Sequence, residues 1–269
     1  MKIAILNFEQ PWHVLASTSL IRGLKHAYPS ASISFFVSQE SFPIIQFNKS
    51  VEAISGYISP NIEKFDLAIN MSPSLEACNF MTEIPSVDKK GFTEKLGSVT
   101  SLNADADEYF SIMHNGNKSE RHALQVIFRL CGMTWKGEGY DLAYFPKNKT
   151  NRKKTGIAIS HDPLRTFVKN NLKLEMTDIW HVPMKKNLFK RMDEINRCMY
   201  ILTDDLFTLH ASIALRKNVE FLDVIGLNTR LEFFGRGNYY RISDGDWRVQ
   251  MEKDGVEENL RSTEEACDV

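Results

Sequence analysis

Two short stretches bring together residue types that could do chemistry. The first runs Phe8, Glu9, Gln10, Pro11, Trp12, His13, just past an apolar run that reads as a strand. In open α/β sheets, ligands bind beyond the carboxyl ends of the strands. A histidine there can act as a general base, because its ordinary pKa lies near neutrality. The alternative is a histidine at a helix N-terminus making only local hydrogen bonds. The second stretch is Thr203, Asp204, Asp205, Leu206, Phe207, Thr208, Leu209, His210. It too follows an apolar run and opens a helical pattern. Helix N-terminal amides attract phosphate. Asp204 and Asp205 could accept hydrogen bonds from sugar hydroxyls, and Thr208 and His210 could approach a diphosphate. The alternative is a plain helix start, with Asp205 as the cap and His210 buried. Without a glycine here, close backbone approach to phosphate is harder than in a phosphate-binding glycine loop.

Other candidates are weaker. Ser160 ends a further apolar run, and His161, Asp162 and Pro163 follow it as a turn. Gly235 to Asn238 also reads as a turn. The chain contains no G-x-S-x-G, GxGxxG or Walker sequence. Four cysteines occur and none pair in a CxxC spacing, so neither a zinc site nor a redox motif is indicated. No cofactor is expected.

These residues need elements to hold them. Lys2 to Asn7 is a compact apolar run, as a buried parallel strand requires. Leu15, Leu20, Ile21 and Leu24 then repeat at helical spacing. Strands are expected at 33–37, 51–57 and 65–70, with a short helix at 42–47. This β-α-β-α-β order implies a parallel sheet covered by helices. A longer helix is expected over 120–131, closed by Gly132. From 146 to 155 the chain turns polar and basic, with Lys147, Lys149, Arg152, Lys153 and Lys154. A solvated linker is the reading, against a polyanion site. The pattern then restarts: strands at 156–160, 199–202 and 219–224, helices at 188–195 and 209–215. Two domains follow, 1–145 and 156–269, with the end from Val256 helical, then acidic and frayed.

With 33 basic and 34 acidic residues, the formal net charge of −1 gives no field for nucleic acid. The opening Met1 to Leu6 lacks a signal-peptide apolar stretch. No apolar run approaches the ~20 residues of a membrane helix. A cytoplasmic protein is expected, at most peripheral to a membrane.

In order, these pieces resemble the heptosyltransferases of glycosyltransferase family 9. The likeness rests on Met1 to Leu6, His13 to Lys25, Tyr28-Pro29, Ala31 to Val37, Asp66 to Asn70, Gly91-Phe92, Glu120 to Met133, Asn196 to Asp205, His210 to Leu215, Val219 to Leu222 and Phe234 to Asn238. The resemblance implies a GT-B fold: two Rossmann-like parallel-sheet domains facing a cleft. It implies a metal-independent, inverting transfer from a nucleotide-diphosphate sugar such as ADP-heptose. The acceptor would be a cell-envelope or protein-linked glycan, or a glycolipid. The donor would sit mainly on the C-terminal half, held by Ser160, Asp204, Asp205, Thr208 and His210. Arg165 or Lys169 would replace the family's basic residue after the first C-terminal strand. Where the family has a Gly-Asp pair carrying its candidate base, this chain has Trp12-His13, so His13 becomes the expected base. Where the family reads Asp-Thr-Gly, this chain has Asp205, Leu206 and Phe207, and Phe207 would crowd a diphosphate. Those departures, and a shortened C-terminal half, keep a second expectation alive: a catalytically silent GT-B protein that binds a ligand or a partner.

Overall fold

The computed structural model describes residues 1–57, 64–114, 121–171, 178–184, 187–224, 226, 233–243 and 246–250. The first half contains β1 (Lys2–Asn7), α1 (Pro11–Ala27), β2 (Ser32–Val37), α2 (Phe42–Ile45), β3 (Glu52–Ser55), β4 (Phe65–Asn70) and α3 (Leu75–Glu83). It continues with β5 (Ser86–Lys95), β6 (Ser98–Ser101), α4 (Ala104–Met113) and α5 (Ala123–Leu130). The second half contains β7 (Asn151–Ala158), α6 (Asp162–Asn171), β8 (Ile179–His181), α7 (Leu188–Asn196), β9 (Cys198–Thr203), α8 (Leu206–Ala214) and β10 (Asn218–Asp223). It ends with β11 (Gly237–Ser243) and β12 (Asp246–Gln250).

Each half builds one six-stranded sheet, in the orders β3-β2-β1-β4-β5-β6 and β12-β11-β10-β9-β7-β8. Both are parallel apart from an antiparallel edge strand, β6 in one and β12 in the other. This is a GT-B-like α/β architecture of two Rossmann-like sheets. The sequence of β1 shows why its sheet is covered on both faces. Ile3 and Ile5 join one buried cluster with α1 and α5, while Ala4 and Leu6 join another with Phe80 and Met81 of α3. A strand buried on both faces must be apolar throughout, which gives the unbroken run. Parallel pairing of Ile5 with Phe35 and Ile69 fixes the register at its centre.

Strand order reverses in each sheet where the first strand has neighbours on both sides. These switch points lie between β1 and β4, and between β7 and β9. The loops leaving β1, β7 and β9 therefore open onto crevices, the usual ligand positions of such sheets.

The halves are joined by more than a tether. Helix α1 lies against α8, and one continuous buried cluster runs from Val14 and Leu15 to Phe207, Leu209 and Ala211. Gly23 of α1 permits a close approach to α5: an added Cβ would sit 2.5 Å from a Phe128 ring carbon. Gly91, with φ at +90°, passes the backbone of β4 so closely that a Cβ would lie 1.8 Å from the Asn70 carbonyl oxygen.

The structure departs from the sequence reading around 146–155. Strand β7 already begins at Asn151. The preceding residues are stitched to α7: the Lys147 amide donates to Asp193 Oδ1, and Asn148 Nδ2 to the Asp193 carbonyl. A polar segment can thus be held by hydrogen bonds as well as set free by solvation. The expected C-terminal helix from Val256 lies outside the described residues. Among the described residues, no helix is long and apolar enough to cross a membrane.

Candidate donor cleft

A cavity of about 350 Å³ opens between the carboxyl ends of the two sheets. The first half supplies Gln10, Pro11 and Trp12 from the β1–α1 junction, and Glu40 after β2. The second half supplies Ser160 after β7, Asp204 to Phe207 after β9, and Met184, Leu188 and Arg191. The volume falls at the lower end of the range for small-molecule sites.

The floor is a set of carboxylate clasps. Asp204 bridges the switch point of the second sheet. Its carboxylate accepts from the Ser160 amide at 2.7 Å, the His161 amide at 2.8 Å and Ser160 Oγ at 3.1 Å. Those amides stand at the N-terminal end of α6, where an anion is favoured. Asp205 is the N-cap of α8 and accepts from the Thr208 amide at 2.7 Å. Its carboxylate is also paired with Arg191.

Arg191 enters from α7 and is the feature the sequence reading missed. Its guanidinium also donates to Thr208 Oγ1 and stands 5.1 Å from the Phe207 ring centroid. It is buried, and its Nε has no hydrogen-bond partner among the described residues. Burial lowers its pKa, and the Asp205 carboxylate works in the opposite direction. A signal was present: Leu188, Arg191, Met192 and Ile195 share the buried stripe of α7. A cation on an apolar stripe at helical spacing calls for a buried anion.

The expected base, His13, sits away from this cavity. It is 2% exposed in the third position of α1, with Nε2 2.7 Å from the Tyr109 hydroxyl. The Glu9 amide donates to Asn7 Oδ1, which turns the Asn7 Nδ2 toward His13 Nδ1 at 3.5 Å. An amide nitrogen only donates, so this arrangement favours the proton on Nε2. Burial first, then the charges of His114 and His210, push the His13 pKa down to about 3. The ring is thus neutral but a weak base, with its acceptor nitrogen turned into the protein. Neither expectation describes this placement: the short hydrogen bond of His13 is a long-range one, to Tyr109 of α4.

His210 is likewise 2% exposed. Its Nδ1 lies 2.6 Å from the Tyr140 hydroxyl, its buried Nε2 has no partner among the described residues, and burial pushes its pKa down to about 4. The Trp12 ring stacks on it with centroids 5.7 Å apart. Trp12 lines the cavity and His210 does not. Bulk at position 12 thus removes the histidine from the wall, as bulk at position 207 fills the floor.

Of the residues singled out from sequence, Ser160, Asp204 and Asp205 line the cavity, while His13, Thr208, His210 and Arg165 do not. Arg165 is folded back: Nε donates to the Ile159 carbonyl at 3.0 Å and Nη1 pairs with Asp162 at 2.9 Å. The side chain of Lys169 lies outside the described residues. Among the described residues, no group of three His, Cys, Asp or Glu side chains could hold a metal ion.

The fold is shared with solved glycosyltransferases. A glycosyl transferase family 9 protein from Veillonella parvula DSM 2008 aligns at TM-score 0.61 and 11% identity, over 90% of this chain and 86% of that one. The E. coli heptosyltransferase WaaC with ADP aligns at TM-score 0.60 and 9% identity, over 99% of both chains. The E. coli ADP-heptose lps heptosyltransferase II aligns at TM-score 0.57 and 12% identity, over 99% of this chain and 98% of that one. No family model and no curated protein matches the sequence.

Proposed function

We propose that this chain is a heptosyltransferase-like glycosyltransferase that holds a nucleotide-diphosphate sugar between the carboxyl ends of its two sheets. The observation carrying this reading is the cavity itself. It lies at the switch point of the second sheet, between Ser160 and Asp204 on one side and the β1–α1 junction on the other. WaaC, which shares the fold, was solved with ADP. ADP-heptose or a similar donor fits this reading, with a cell-envelope or protein-linked glycan as acceptor.

Inverting transfer needs a base on the acceptor side and neutralisation of the departing diphosphate. Glu40 is the first-half carboxylate in the cavity wall, and it is exposed. It replaces His13 as our choice of base: an accessible carboxylate can take a hydroxyl proton in the transition state, and a buried imidazole titrating near 3 is poorly suited to do so.

One observation favours a second reading, a GT-B protein that binds without transferring. Phe207 and the carboxylates of Asp204 and Asp205 occupy the strand-end floor where a diphosphate would lie. Calorimetric titration with ADP, GDP, UDP, dTDP and their sugars separates the two. Saturable binding of one class, with Glu40→Gln lowering turnover ~10²–10⁴-fold at unchanged donor affinity, supports transfer. Binding without sugar release supports the silent reading. No binding by any nucleotide removes the donor site.

A further inference from the structure

Resting on that reading of the cleft, the question becomes which group meets the donor's negative charge. Among the described residues lining the cavity, the charged ones are Glu40, Asp204, Asp205 and Arg191. Arg191 is the one cation in that set. It belongs to α7, a different element from the one where a basic residue was expected, and Arg165 is spent on the Ile159 carbonyl and Asp162.

The partners of Asp205 are informative. Its carboxylate is held by a helix N-terminal amide, Thr208 N, and by a guanidinium, Arg191. These are the two donor types that bind a phosphate oxygen. Asp204 does the same at α6, with the amides of Ser160 and His161. Both anion-binding positions on the floor are thus filled by the chain's own carboxylates. Arg191 lines the cavity, and its buried Nε has no partner among the described residues.

We propose that Arg191 is the phosphate-binding cation of the cleft, and that Asp205 is its resident counter-ion, displaced from the guanidinium when a phosphate enters. Asp205 then competes with ligand instead of holding it. A residue that merely pins α7 to α8 would lack this signature.

The test uses inorganic pyrophosphate and ADP, titrated by calorimetry at one fixed salt concentration into the full chain. Asp205→Asn keeps a good helix cap while removing the competing charge. It should tighten pyrophosphate at least ~10-fold, the scale of one charge-assisted hydrogen bond. Arg191→Gln combined with Asp205→Asn leaves no unpaired buried charge. It should weaken pyrophosphate ~10–150-fold relative to Asp205→Asn alone. Unfolding midpoints verify that each variant is folded. Unchanged or weaker pyrophosphate binding in Asp205→Asn overturns the proposal, as does equal binding in the double variant, or no binding in any form. If ADP binds wild type and double variant alike, the donor reading stands and the role of Arg191 falls. If pyrophosphate behaves as expected while no nucleotide binds, Arg191 stands and the nucleotide reading falls.

Discussion

Acidification should loosen this protein through two histidines that the packing of α1 against α8 holds neutral. His13 and His210 titrate at about 3 and about 4 in the folded chain, against an ordinary value of 6.5. Burial is the main cause in both. Because the folded values are depressed, the unfolded chain takes up protons first as pH falls. Stability is intact above 6.5, falls from there toward the folded values, and stops falling below them. At about pH 5 the unfolded chain gains about 2 kcal/mol from each histidine, hence about 4 for the pair. For a chain of this size that corresponds to a midpoint drop of roughly 8–16 °C.

Other buried groups are shifted too: burial lowers the His114 pKa, which acts in the same sense as the pair. Burial raises the carboxyls of Glu9 and Glu220, and these oppose the histidines. The informative quantity is therefore the difference between wild type and the His13→Gln, His210→Gln double variant. Glutamine is uncharged and keeps a hydrogen-bonding group toward Tyr109 and Tyr140. Thermal unfolding at about pH 7.5 and about pH 5 should show a smaller acid-induced drop in the variant, by about 4 kcal/mol. An equal drop in both proteins would refute the reasoning, because the two rings would then not be the groups that titrate.

Three further outcomes follow from packing and capping. Gly23→Ala places a Cβ 2.5 Å from the Phe128 ring, so chemical denaturation should register a loss of ~1–3 kcal/mol. Asp204→Ala strips the Ser160 and His161 amides of their acceptor; a loss of ~1–3 kcal/mol in the same assay is expected. Tyr140→Phe leaves His210 Nδ1 without its hydroxyl partner, and should destabilise by ~1–3 kcal/mol while shrinking the acid sensitivity little, because burial rather than the hydroxyl sets the His210 pKa.

In the first sheet the strands at the switch point were readable because both of their faces carry residues into the buried clusters. β1 and β4 match their expected bounds, and β2, β9 and β10 fall within one residue of theirs at either end. β5 was not readable. Its sequence, Ser86 to Lys95, is mostly polar, and it is specified by pairing with β4 and β6 instead of by its own burial. The early start of β7 was hidden for a related reason. Lys154, read as part of a solvated linker, lies over the Trp180 ring at 5.3 Å, a partner some 26 residues away that no local pattern announces.

The site was legible in its address more than in its membership. Spacing placed His13 and His210 at strand-to-helix junctions, and that is where they are. Spacing cannot say which way a junction residue faces. Here the answer depends on Trp12 and Phe207, both bulky where the family pattern carries glycine. Trp12 covers His210 from the cavity, and Phe207 lies under Arg191 on the floor. Among the described residues of the cavity wall, Arg191 is then the one cation. If Arg191 takes the phosphate as proposed, the grip comes from α7, because the N-terminus of α8 is already capped by Asp205.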